Sequence, residues 1–140
     1  MQIRFVRRIK AKDMIKEFER KYGNIEKLKR YLERNPDDYT ALMDYDDWLH
    51  FLENPGIEIE EGEIIVSDIS FLTPQKLQIL EAVKKYKPKS IRELAEKVGR
   101  NIKNVYMDLK ELEKAGLVEL ESSGRAKKAS LKYNEIVIAI

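Results

Sequence analysis

Three helix-start signals stand close together in the second half of the chain and leave little choice of fold there. Thr73 is an N-cap followed by Pro74 at the first helical position, where the missing N–H had no helical partner to lose. Ser90-Ile91-Arg92-Glu93 is a capping box, whose serine and glutamate oxygens accept from free backbone N–H groups. Asn101 caps a third helix directly after Gly99-Arg100. The apolar spacing agrees with the caps. Leu77, Leu80 and Val83 stripe the first helix, Ile91, Leu94, Ala95 and Val98 the short second, and Val105, Leu109 and Leu112 the third. Ala115-Gly116 ends the third helix; residues 117–120 read as a strand, 121–125 as a turn, and 127–133 as a basic returning strand. Helix, capped short helix, tight turn, helix and hairpin is the order of a winged helix-turn-helix, expected over residues 71–140.

Such a fold reads DNA by laying the exposed face of its second motif helix in the major groove. With Val105, Leu109 and Leu112 turned inward, the outer side carries Lys103, Tyr106, Met107, Lys110 and Lys114. Arg100, Asn101 and Asn104 stand at the amino-terminal end of that helix, and Ser90, at the start of the preceding one, is grouped with them. Arg, Lys and Asn suit purine edges, while Tyr106 and Met107 suit a thymine methyl. Arg125, Lys127 and Lys128 at the hairpin are placed to grip phosphate or the minor groove. Double-stranded DNA is therefore the expected partner. Asp108 and Glu111 flank the same helix and count against it. The competing reading is a winged-helix adaptor that binds protein within a larger complex and reads no DNA.

The residues Leu72-Thr73-Pro74, Ser90-Ile91-Arg92-Glu93-Leu94-Ala95 and Gly99-Arg100-Asn101-Ile102-Lys103-Asn104-Val105, with Asp108, Leu112 and Gly116-Leu117-Val118, carry a family resemblance. Residues 71–140 resemble the archaeal winged helix-turn-helix regulators, broadly MarR/ArsR-like, and are similar to a group of DNA-binding proteins found in archaea and some bacteria. The resemblance implies a transcription regulator that binds DNA as a homodimer and, in some members, acts as an antitoxin beside a toxin partner. The hairpin departs from the group at residues 126–129, where it supplies extra lysines.

Charge divides the chain into three blocks. Residues 1–34 hold 12 basic and 5 acidic side chains, residues 35–70 hold 11 acidic and no Lys or Arg, and residues 71–140 hold 15 basic and 9 acidic. The net charge of +2 thus conceals a basic, acidic, basic succession. The acidic block 35–70 is expected either as a solvated surface or as an interface. As an interface it faces the basic segment 1–34 within a chain or across a dimer, a basic protein partner, or the recognition helix as an internal DNA mimic.

Residues 1–70 are expected to form a helical region with short strands that serves dimerisation or partner binding. Residues 2–7 alternate as a strand with Ile3 and Phe5 on one face. Asp13 is placed to cap a first helix that Gly23 stops, Asn24 caps a second that ends at Asn35-Pro36, and a third runs from about Asp37 to Asn54. Its Trp48, Leu49 and Leu52 pack into the core or against a partner. Residues 57–60 and 63–66 flank Glu61-Gly62 as a hairpin or one bent strand. Residues 135–140 are apolar on both faces, so they should be covered. Their pairing is open among residues 3–6, residues 64–66 and the same strand of a second subunit.

Several classes of chemistry lack their residues. With no Cys and one His, a disulfide frame, a thiol nucleophile and a His-Cys zinc site are excluded. The acids Asp44, Asp46 and Asp47 fit neither a calcium loop, whose sixth-position glycine is here Leu49, nor a nuclease centre with a poised lysine or histidine. No Ser/His/Asp set, phosphate loop or dinucleotide motif is present, so neither catalysis, cofactor nor metal is expected. The longest apolar run, residues 136–140, falls far short of the ~20 residues of a membrane span. Residues 1–10 lack the apolar stretch of a secretory signal, and the expectation is a cytoplasmic α+β protein.

Overall fold

The computed structural model describes residues 1–140, with every side chain except that of Ser123. The elements run β1 (Gln2–Lys10), α1 (Ala11–Tyr22), α2 (Ile25–Arg34), α3 (Tyr39–Glu53), β2 (Glu58–Val66), α4 (Pro74–Tyr86), α5 (Ile91–Val98), α6 (Ile102–Lys114), β3 (Val118–Ser123), β4 (Ala126–Leu131) and β5 (Glu135–Ala139). The protein is α+β. It divides into two compact units, Arg8–Glu61 and Met1–Arg7 with Gly62–Ile140. Residues 1–7 and 62–70, assigned from sequence to the first region, therefore cluster with the second.

In the unit Arg8–Glu61, α1 starts straight out of β1. Its N-cap is Lys10, with no side-chain cap, and Asp13 lies inside the first turn instead of capping it. A cap is unnecessary because the Ala11 N–H donates to the Ile57 carbonyl at 2.9 Å, satisfying one of the free donors of the first turn. Asn24 caps α2 as expected, its Oδ1 accepting from the Lys27 N–H, and Asp38 caps α3 through the Ala41 N–H. Ala41, Trp48 and Phe51 face inward from α3 onto Met14, Phe18 and Leu28, with the Phe18 ring 5.6 Å from Trp48 and 6.2 Å from Phe51. Leu49 and Leu52 stand exposed, and Phe51 takes the buried place. The apolar residues form two adjoining stripes on α3, and packing against Met14, Phe18 and Leu28 selects the one with Ala41, Trp48 and Phe51. Asp44 accepts from the Tyr22 hydroxyl and pairs with Lys21 at 3.3 Å, tying α1 to α3. Burial first, then the bond to Asp44, raises the Tyr22 hydroxyl pKa above its ordinary value.

In the unit Met1–Arg7 with Gly62–Ile140, the caps at Thr73, Ser90 and Asn101 all form. The capping box differs in one bond: the Glu93 carboxylate accepts from the Lys89 N–H, one residue before the cap. The C-terminal ends of α5 and α6 close in the same way. The Arg100 N–H reaches the Ala95 carbonyl and the Gly99 N–H that of Glu96, while Leu117 and Gly116 repeat the pattern on Leu112 and Glu113. Gly99 and Gly116 have φ of +66° and +83°, the left-handed conformation that this closure requires and that side chains with a Cβ resist. The core gathers Ile79, Leu94, Val105, Leu109 and Leu112, all fully buried, and adds Ile3 and Phe5 from β1.

The hairpin β3–β4 pairs antiparallel from Val118↔Leu131 to Ser123↔Ala126, with Gly124-Arg125 as a two-residue turn. The strands therefore run closer to the tip than expected. The other sheet has the order β2-β1-β5, and β5 settles its open pairing on β1, from Gln2↔Ala139 to Val6↔Glu135. Residues 58–66 form one strand, not a hairpin. Among the described residues no helix is long and apolar enough to cross a membrane.

Candidate nucleic-acid interface

Burial of Val105, Leu109 and Leu112 fixes the rotation of α6 and leaves Lys103, Asn104, Met107, Lys110 and Lys114 exposed. Three carboxylates share the helix, and each has a cation. Asp108 pairs with Arg100 at 2.8 Å, Glu113 with Lys110 at 2.8 Å, and Glu111 with Lys76. Lys76 is itself buried, and its ammonium also donates to the Phe71 carbonyl at 2.9 Å. That clamp joins the start of α4 to α6. It was not visible in the sequence, where Lys76 reads as one more surface lysine.

Of the twelve residues named from sequence, Lys114 is exposed at the end of α6, and the other eleven separate by what their side chains already do. Lys103, Asn104, Met107, Arg125, Lys127 and Lys128 are exposed. Tyr106 is half-buried, and the Lys127 ammonium lies 5.5 Å from its ring centre, joining β4 to α6 with a contact worth about 0.5–1 kcal/mol. Ser90 and Asn101 spend their oxygens on caps. Arg100 is drawn back onto Asp108, its side chain 24% exposed, and its Nη1 makes an ion pair there without hydrogen-bond geometry. Arg100 thus orders the turn between α5 and α6. Lys110 shares its charge with Glu113.

The structure also extends the basic surface. Lys84 and Lys87 from α4 and its C-cap come beside Lys128 of β4, around an open hollow of about 290 Å³ floored by Val83, Ala129 and Leu131. The run Lys84-Lys85-Tyr86-Lys87 was legible, but its meeting with the hairpin depends on tertiary packing. Tyr86 is flanked by the ammonium groups of Lys85 and Lys97, at 5.2 and 4.9 Å from its ring centre.

Residues 71–138 match a protein family described as HVO_A0114. The matched segment spans α4 to β5 and so contains every residue of this surface; it is just under half of the chain. No curated protein matches the chain.

The Lys110–Glu113 pair makes a testable brake within the surface. Its hydrogen bond holds the Glu113 carboxyl below its ordinary 4.5 and lifts the Lys110 ammonium above its ordinary 10.5. The depressed acid keeps its contribution above pH 4.5 and loses it as pH falls through the lower folded value. The raised base keeps its contribution below 10.5 and loses it as pH rises through the higher folded value, so the pair is intact at neutral pH. Glu113→Gln should release Lys110, strengthen polyanion binding severalfold, and steepen the log affinity–log salt slope by about 0.9. Unchanged slope in a fluorescence-anisotropy salt series would remove Lys110 from the contact surface.

Proposed function

We propose that the unit formed by residues 1–7 and 62–140 is a winged helix-turn-helix, and that the chain is a cytoplasmic, sequence-specific DNA-binding transcription regulator. In this reading α5 and α6 are the helix-turn-helix, α6 enters the major groove of double-stranded DNA, and β3–β4 is the wing. The charge arrangement on α6 carries the reading. Its carboxylates are each matched by a cation, while Lys103, Lys114 and the hairpin residues Arg125, Lys127 and Lys128 remain exposed around it. A surface of that kind meets phosphates without like-charge penalty and offers Asn104 and Met107 to base edges. The function needs no catalytic group and no cofactor. The test is affinity for duplex DNA measured against salt: neutralised phosphates give a negative log–log slope of about 0.9 each, and a flat response would leave the protein-binding adaptor.

The regulator acts as a homodimer, because two half-sites about 34–36 Å apart need two recognition helices. Support for an interface comes from β5, whose only strand neighbour among the described residues is β1. Ile136 and Ile138 on it are 38% and 51% exposed, and the strand carries no lysine, proline or bulge to discourage pairing with a second β5. Light scattering should give twice the 16.5 kDa chain mass at micromolar concentration, and Ile138→Lys should return the monomer. A monomeric wild type would end the dimer reading and leave the DNA reading standing.

A further inference from the structure

We propose that α3 carries a docking seam for a basic amphipathic helix of another protein, independently of the DNA reading. Leu42, Tyr45, Leu49 and Leu52 recur at i, i+3, i+7 and i+10, the apolar spacing of two heptads. On a straight helix they fall within about 80° of one another, beside the stripe of Ala41, Trp48 and Phe51 that faces the unit's own core. Tyr45 is half-buried, whereas Leu42, Leu49 and Leu52 are 38%, 40% and 50% exposed. A helix apolar on two adjoining faces is normally covered on both, and here only one is covered.

Charge selects the occupant. The open flank of the seam carries exposed Asp46 and Glu53, while the opposite flank is the buried stripe, so a partner meets acid along its one free margin. Residues 35–70 hold no Lys or Arg to offset it. DNA is excluded from such a face by repulsion. A second α3 fits poorly, because antiparallel pairing of two seams would set Asp46 and Glu53 against their own copies. The chain's other helices lack a matching stripe. Their exposed large apolar side chains are Tyr31 on α2, Leu77 and Tyr86 on α4, and Ile102 and Met107 on α6, none of them at heptad spacing. The complementary object is a helix with an apolar heptad stripe flanked by Lys or Arg, laid along α3 in the helix-in-groove manner.

The probe is a fluorescein-labelled three-heptad peptide with leucine at the a and d positions and lysine at e and g, titrated with the full chain. It should bind at least tenfold tighter than its glutamate-flanked counterpart and than a peptide of equal composition with scattered leucines. Leu42→Ser with Leu49→Ser should weaken binding at least tenfold while the emission of the single Trp48 stays that of the wild type. Asp46→Lys with Glu53→Lys should exchange the preference toward the glutamate-flanked peptide, a gain that misfolding could not produce. Absence of binding, equal binding of the scattered peptide, or an unchanged preference in the charge-reversed variant would overturn the proposal. So would loss of a dimer in the Leu42→Ser, Leu49→Ser variant, because the seam's occupant would then be a second copy.

Discussion

Lys103→Glu combined with Lys110→Glu is expected to lower affinity for duplex DNA about 100-fold at roughly 0.1 M salt. Both side chains are exposed on the outer face of α6, so neither change touches the core beneath Val105 and Leu109. In the proposed reading the change at Lys103 removes a phosphate contact, and the change at Lys110, which Glu113 already holds, adds a carboxylate to the same face. The log–log salt slope should shrink by about 0.9, the one phosphate that Lys103 neutralises, and that change separates a lost contact from general loss of fold. The carboxylate introduced at position 110 would also face Glu113 across one helical turn, a like-charge pair whose cost on an exposed face is small. The thermal midpoint should therefore hold close to the wild-type value. If affinity and slope both survive the double reversal, α6 is not the recognition helix.

Leu109→Ala should have the largest effect on stability. Leu109 is fully buried, in one cluster with Ile79, Leu94, Val105 and Leu112, so truncation removes its transfer free energy and leaves a cavity below α6. Losses of this kind run about 3–5 kcal/mol, a large share of the roughly 5–15 kcal/mol that holds a domain together. At the scale of this chain the midpoint should fall by about 10 °C in calorimetry. Leu77→Ala provides the comparison, since Leu77 on α4 is 43% exposed and its loss should stay within about 1 kcal/mol. Equal effects at the two positions would mean that the helices do not pack around Leu109 as described.

What could be foreseen from sequence follows the range of the interaction involved. Caps at Asn24, Thr73, Ser90 and Asn101 are contacts within three residues, and all four form. The stripe of Val105, Leu109 and Leu112 is equally local, and it determined which side of α6 faces out. Asp13 misled because the competing partner of the first turn, the Ile57 carbonyl, is remote in sequence. Phe51 is buried where Leu49 and Leu52 are exposed, since apolar residues lie on several sides of α3 and periodicity alone could not say which stripe meets α1 and α2. The withdrawal of Arg100 onto Asp108 and the burial of Lys76 depend on rotamers and on packing across elements. Residue types announce where charge can be, but not which charges cancel.

The pairing of β1 with β5 has a consequence for how the chain can be taken apart. Ile3 and Phe5 complete the core around α4–α6, so a fragment beginning at residue 71 would lack two of its buried side chains and also Ile64, Val66 and Ile69, which pack against it. The natural seam for cutting lies elsewhere. Arg7 and Gly62 bound one contiguous block, and Arg4 meets Glu63 just as Arg8 meets Glu60, as on two antiparallel neighbours. The helical block is thus an insertion in sequence that begins and ends inside β1 and β2 and carries the inner end of each. Its excision, with a short turn joining Arg7 to Gly62, keeps every core side chain of the remaining unit on one polypeptide. Evolution or an engineer could exchange such a cassette without redesigning the surface on α6.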